Sequence, residues 1–177
     1  MTKKKLLIVV DYQNDFVDGS LGFEAAKDIE SAICNKIEKY VKEGHDVVFT
    51  LDTHSQKYLL TDEGRNLPVK HCIKGTAGHK LYGKVATLAH DKVQIEKPTF
   101  ASLELAKYIE GKDYGEIELC GVVTNICVIS NAVMAKAAAP DCKITVDAAC
   151  CASNDSEIEE KSYEIMKNLH VTVIGRD

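Results

Sequence analysis

The stretch EIELCGVVTNICVISNAVMAKAAA, residues 116–139, decides the fold. Residues 116–123 read as a β-strand, and residues 125–139 read as the helix that follows it with almost no turn between. A strand that feeds straight into a helix is the repeating unit of a parallel sheet with helices on its faces. Cys127 falls in the first turn of that helix. Free cysteine is among the most buried residue types, so packing is its default role. A chemical role has to come from what the rest of the chain places around it.

The same unit recurs on either side. KLLIVVD (5–11) is an apolar run bounded by charge, as expected of a strand covered on both faces. Residues 28–43 carry Ile29, Ile33, Ile37, Tyr40 and Val41 on one helical stripe, closed by Gly44. DVVFTLD (46–52) is a second strand and KVQIEK (92–97) a third, with a weak helical pattern at 79–90 between them. Helix 101–110 leads to strand 116–123. KITVD (143–147), a helix over 155–169 and VTVI (171–174) complete the chain. Alternating strands and helices predict a three-layer α/β fold: a six-stranded, mostly parallel sheet with helices on both faces and right-handed connections. Residues 53–78 lack periodicity and exceed the usual length of a structural connection, which marks the segment as functional.

The chain of 177 residues is long enough for one domain with a core and hardly for two, and there are no repeats or low-complexity linkers, so 1–177 reads as a single domain. With 45% hydrophobic and 28% charged residues it has the composition of a soluble globular protein. A net charge of −5 and the lack of a basic stripe argue against nucleic acid. The longest apolar run near the start, Leu6 to Val10, is far too short for a signal core or a membrane span, which predicts a cytoplasmic protein without a membrane partner. Seven cysteines without any C-x-x-C pair point to free thiols, and Cys34 and Cys142 read as packing residues. Neither G-x-G-x-x-G after a strand nor G-x-x-x-x-G-K-[ST] occurs, so a nucleotide-binding loop is not expected.

In open α/β sheets ligands bind at the carboxyl ends of the strands. The first strand ends in Asp11, the second in Asp52 with His54 two residues on, and the third in Lys97; the fourth runs into Cys127. Each alone has a bland reading: a turn cap, a loop imidazole, a surface charge. Together they bring two carboxylates, an imidazole, an ammonium and a thiol to one rim. A helix N-terminus and a nearby ammonium are expected to lower the thiol pKa of Cys127. Asp11 is placed to take the thiol proton and pass it to a leaving group. The main-chain N–H groups of Val123 and Cys127 are candidates for an oxyanion hole. Cys, Asp and Lys suffice for attack on an amide carbonyl.

At these residues the sequence resembles the isochorismatase-like cysteine hydrolases, and among them the nicotinamidases. LLIVVDYQNDFVDGSL, EKPTFAS and GVVTNICV, together with DTH and a later histidine before IKGTAG, occur in the family's order and spacing. The resemblance implies Cys127 as nucleophile, Asp11 as base, Lys97 as supporting cation and Phe16 as a pocket wall. It implies a cis peptide between Val122 and Val123. It also implies a divalent metal, zinc first with manganese or iron as alternatives, on Asp52, His54 and His71, with Glu63 favoured over Asp62 as a fourth ligand. Cys72 is adjacent but expected to point away. Pro68 stands where the family often has an aromatic pocket residue, and Asn125 where an aspartate is common. A small-molecule amide as substrate and a homo-oligomer, dimer or tetramer, are further implications. The expected activity is hydrolysis of nicotinamide through a thioester. The alternatives are an amidase for a ureido or carbamoyl compound, or a thiol redox or binding protein on the same fold.

Overall fold

A computed structural model describes residues 3–176 of the chain. Six strands form one sheet, β1 (Lys5–Val10), β2 (Asp46–Asp52), β3 (Val93–Lys97), β4 (Glu116–Val122), β5 (Lys143–Ala152) and β6 (Thr172–Ile174), in the order β3-β2-β1-β4-β5-β6. All neighbouring pairs are parallel. The order reverses between β1 and β4, which opens a crevice at their carboxyl ends, the usual ligand position in such sheets. Asp11 follows β1 and Cys127 follows β4, so the reversal itself brings these two residues together.

The helices are α1 (Asn14–Val17), α2 (Glu24–Asp28), α3 (Glu30–Lys42), α4 (Asp62–Asn66), α5 (Gly83–Leu88), α6 (Leu103–Ile109), α7 (Ile129–Ala138) and α8 (Ser156–Asn168). The long α3 buries Ile33, Cys34, Ile37 and Tyr40 and meets α5 on one face of the sheet. Right-handed crossovers after the reversal place α6, α7 and α8 on the other face. Leu6 to Val10 are all fully buried between these layers, each side chain contributing about 1.5–3 kcal/mol.

The differences from the expected elements have local causes. Strand β5 runs to Ala152, five residues past its expected end. Its register to β4 jumps from Leu119↔Val146 to Gly121↔Cys151, and this bulge interrupts the alternation that marks a strand. The helix expected at 79–90 is confined to α5, whose first residue Gly83 has φ +50°. Helices α1 and α2 are too short to show a period. The helix expected from 125 opens instead with a π-turn over Thr124–Val128, closed by a bond from Val128 N–H to Val123 O of 3.2 Å. Segment 53–78 is ordered, with a 3₁₀ turn at Tyr58–Leu60, α4, and a β-bridge between His54 and Ile73.

Candidate active site and metal group

Asp11 sits in the left-handed region at φ 47°, an uncommon backbone state for a residue with a side chain and one found at functional sites. Its backbone turns directly beside Gly121, where a Cβ would lie 2.1 Å from Val10 O; only glycine allows β1 and β4 to approach this closely. The Asp11 side chain is fully buried, and Thr50 Oγ1 donates to its Oδ1 at 2.7 Å. Lys97, at the end of β3, is 1% exposed. Its Nζ lies 2.6 Å from Asp11 Oδ2 and 3.5 Å from Asp52 Oδ1, and donates to Cys127 Sγ at 3.5 Å and to Thr99 O at 2.9 Å. Asp11 Oδ2 takes part in this ion pair without accepting a well-directed hydrogen bond, so it keeps capacity for a proton.

The electrostatics correct one expectation. The Cys127 thiol is not lowered: burial pushes it well above the ordinary value, the Asp11 carboxylate adds to this, and Lys97 offsets only part. Burial also raises Asp11 despite the ammonium beside it. Burial works against the Lys97 charge, yet Asp11, Cys127 and Asp52 hold its pKa above normal. Burial thus disfavours the charged forms of both Cys127 and Asp11, and the Lys97 ammonium between them is the one charge that favours those forms.

Asp52, His54, Glu63 and His71 each offer one ligand atom, and these atoms lie within 4.8 Å of one another. Asp52 Oδ2 is 2.9 Å from His54 Nε2 and 3.3 Å from His71 Nε2; Glu63 Oε1 is 3.5 and 3.6 Å from the same two nitrogens. Ligands about 2.0–2.2 Å from one ion, tetrahedrally arranged, would stand about 3.3–3.6 Å apart, so the four residues fit a divalent metal. Oxygen and nitrogen donors of this kind suit zinc, manganese or iron. The His71 ring is held by Nδ1 on Val69 O at 2.8 Å, which directs Nε2 into the group. Burial opposes protonation of His54 and His71, but bonds to Asp52 and Glu63 prevail and raise them to about 9 and about 10. Glu63, opposed by burial but bonded to both imidazoles, falls to about 2.

Of the two acids weighed for the fourth position, Glu63 faces the group and Asp62 is solvent-exposed. Thr61 accomplishes this: its hydroxyl oxygen accepts from Gly64 N–H at 3.0 Å and caps α4. Gly64 has no room for a Cβ, which would lie 2.1 Å from Tyr58 O. Cys72 is buried and lies outside the group, with its N–H donated to Asp15 Oδ2 at 2.7 Å. Asn125 accepts from Ser153 Oγ at 2.6 Å. The Val122–Val123 peptide is cis.

Cys127 lines a cavity of about 210 Å³ together with Phe16, Leu67, Phe100 and Ile126, and with Glu63 and His71 on its metal-group side. Phe16 packs on His71 with ring centroids 5.5 Å apart. Leu67 lines this cavity and Pro68 does not.

Three further residues hold the site and went unread in the sequence. Tyr58 is fully buried, stacks near His54 and His71 at 4.7 and 4.9 Å, and donates its OH to Leu67 O. The Gln13 amide donates to Asp52 O and His79 O and accepts from Asp52 N–H. Asn131, fully buried in α7, donates to Phe100 O at 2.9 Å and to Cys127 O at 2.8 Å and accepts from Ser102 N–H at 3.0 Å. It ties the loop after Lys97 to the turn that carries the thiol. The only sequence signal for Asn131 was an asparagine inside an apolar helix.

Residues 5–177 match the isochorismatase domain. This chain belongs to the isochorismatase family. Among its relatives, the Bacillus subtilis protein named "Uncharacterized isochorismatase family protein PncA" is 39% identical over 142 residues, covering 73% of this chain and 77% of that one. The crystal structure of nicotinamidase/pyrazinamidase PncA from Bacillus subtilis superposes with a TM-score of 0.86 at 29% identity, covering 97% of this chain and 99% of the other. The pyrazinamidase of Pyrococcus horikoshii in complex with zinc gives 0.85 at 27% identity, over 98% and 99%. Within this isochorismatase-family chain, no helix among the described residues is long and apolar enough to cross a membrane.

Proposed function

We propose that the chain is a cysteine amidohydrolase that converts nicotinamide and water to nicotinate and ammonia through a thioester. The observation that carries this is the cluster of Cys127, Asp11 and Lys97 beside a four-residue metal group, with Cys127, Asp52, Glu63 and His71 lining one small cavity. The nicotinamidase and pyrazinamidase relatives support an amide C–N bond as the one cleaved.

Asp11 Oδ2 takes the thiol proton as Sγ attacks the carboxamide carbon. Lys97 balances the carboxylate before transfer and the thiolate during it. The oxyanion that develops is met by the N–H groups of Val123 and Cys127. Collapse breaks the C–N bond, Asp11 returns the proton to the nitrogen, and ammonia leaves behind a thioester on Cys127. Water then attacks the thioester, Asp11 accepts its proton and passes it to Sγ as the S–C bond breaks, which releases the carboxylic acid and restores the thiol. Phe16 holds the ring by packing. Asp52, His54, Glu63 and His71 would hold a divalent metal, zinc by likeness to the Pyrococcus relative, which would supply a Lewis acid for a ring nitrogen and so help to orient the carboxamide.

Seven unpaired cysteines among the described residues support a reducing, cytoplasmic setting. A homo-oligomer, dimer or tetramer, belongs to the same reading by likeness to the family, and sedimentation is its test. The deciding experiment is ammonia release from a panel of amides, nicotinamide first, with Cys127→Ala as control. Turnover of ureido compounds alone would shift the substrate class. Inertness toward every amide, with rapid peroxide consumption, would replace hydrolysis by thiol redox chemistry.

A further inference from the structure

At about 210 Å³ the cavity around Cys127 falls below the roughly 300–1,000 Å³ of pockets that enclose larger ligands. It does not stand alone. A groove of about 670 Å³ adjoins it, and the two share Glu63, Leu67, Phe100 and Ile126 as walls. Cys127 and Val123 line only the small cavity, whereas His54, Asn66 and Pro98 line only the groove. The groove therefore lies on the His54 and α4 side of the shared walls, beyond the thiol cavity, and a ring held at the metal group would direct a ring substituent, part of the acyl group, into it.

The walls define what fits. Leu67, Phe100 and Ile126 remain 38%, 45% and 38% exposed, more apolar surface than a small ring carboxamide in the inner cavity would cover. Asn66 and Thr99 supply uncharged polar groups at the edge, and Asp62 supplies a carboxylate. His54 and Glu63 on the groove wall belong to the metal group, which leaves the exposed Asp62 carboxylate as the charge at the groove's edge, and it disfavours phosphate or carboxylate substituents beside it.

We infer that the groove is a subsite for a neutral aryl or alkyl substituent on the acyl side, so that extended ring carboxamides are hydrolysed alongside the unsubstituted one. The inference rests on the amidohydrolase reading and adds no chemical step: the same C–N bond breaks and ammonia leaves.

Ammonia release reports on every substrate in the same way. The zinc-loaded enzyme is assayed with nicotinamide, with nicotinamide bearing a phenyl group on the ring, and with the carboxyphenyl analogue. The expected result is a kcat/KM for the phenyl compound at least equal to that for nicotinamide, with the carboxyphenyl compound at least tenfold poorer. Asn66→Trp, which gives up only the bond from Asn66 Nδ2 to Asp62 O, fills the groove and should lower the phenyl-to-unsubstituted ratio tenfold or more. Hydrolysis of nicotinamide with a hundredfold loss for the phenyl compound, or a ratio indifferent to Asn66→Trp, would overturn the subsite and leave the nicotinamidase reading standing. Silence with all three amides would remove that reading and the subsite with it.

Discussion

The Lys97 ammonium and the Asp11 carboxylate stand 2.6 Å apart with neither side chain exposed to solvent. A pair this deeply buried is hazardous to break. Removing one partner of a buried pair costs about 3–5 kcal/mol, because the other charge is left without compensation. Lys97→Met should therefore lose turnover by orders of magnitude and also unfold at markedly lower urea. Adding Asp11→Asn should restore part of the stability and none of the activity. A double variant less stable than Lys97→Met would show that the pair is not the source of the loss.

Cys127→Ala should fold normally and turn over no amide, while Cys34→Ala and Cys142→Ala stay active. Because burial and Asp11 hold the Cys127 thiol above its ordinary pKa, iodoacetamide labelling of the free enzyme should climb through alkaline pH. A plateau already reached at neutral pH would mean a lowered thiol.

The metal group has its own pH signature. Without metal, Asp52 and Glu63 push His54 and His71 up to about 9 and about 10, which favours protonated rings at neutral pH, and a metal has to displace those protons. Zinc affinity, measured by competition with a chromophoric chelator, should rise with pH and level off only beyond that range. Glu63→Gln should weaken binding tenfold or more, whereas Asp62→Asn, altering an exposed side chain, should leave it unchanged. Equal effects of the two would remove Glu63 from the group.

Asn131 offers a sharper comparison than an alanine scan. Its amide donates twice and accepts once. Asn131→Asp keeps the shape and the acceptor but sets a carboxylate against two carbonyl oxygens, so it should be less stable than Asn131→Ala by thermal denaturation. The order follows from the cost of burying unpaired polar groups, about 1–3 kcal/mol each and more for charged ones. The reverse order would show that the bonds to Phe100 O and Cys127 O do not hold the loop.

What the sequence reveals divides along physical lines. Strand β2 shows its limits because apolar, β-branched residues stop at a charge on each side. Asp11, Lys97 and Cys127 are visible because each follows a strand, and parallel strands deliver their ends to one edge. The rest depends on distance. The bulge of β5 against β4, the partnership of Gln13 with Asp52 and His79, and the placement of Tyr58 against His71 all join residues well separated in sequence. Periodicity carries no trace of such pairings. The state of the Cys127 thiol was misjudged for the same reason: proximity to an ammonium could be read from the chain, but the depth of burial could not.

The four metal-group residues occupy one uninterrupted span, 52–71, between β2 and β3, while Asp11, Lys97 and Cys127 come from three separate strand ends. The polar links between the two sets run through the 3.5 Å approach of Lys97 to Asp52 and the Gln13 amide. The metal group and the thiol's partners are thus written in different parts of the chain. Exchanges within 53–71 reach the metal group and the Leu67 wall and leave the three strand ends in place, so that loop can vary on a fixed frame.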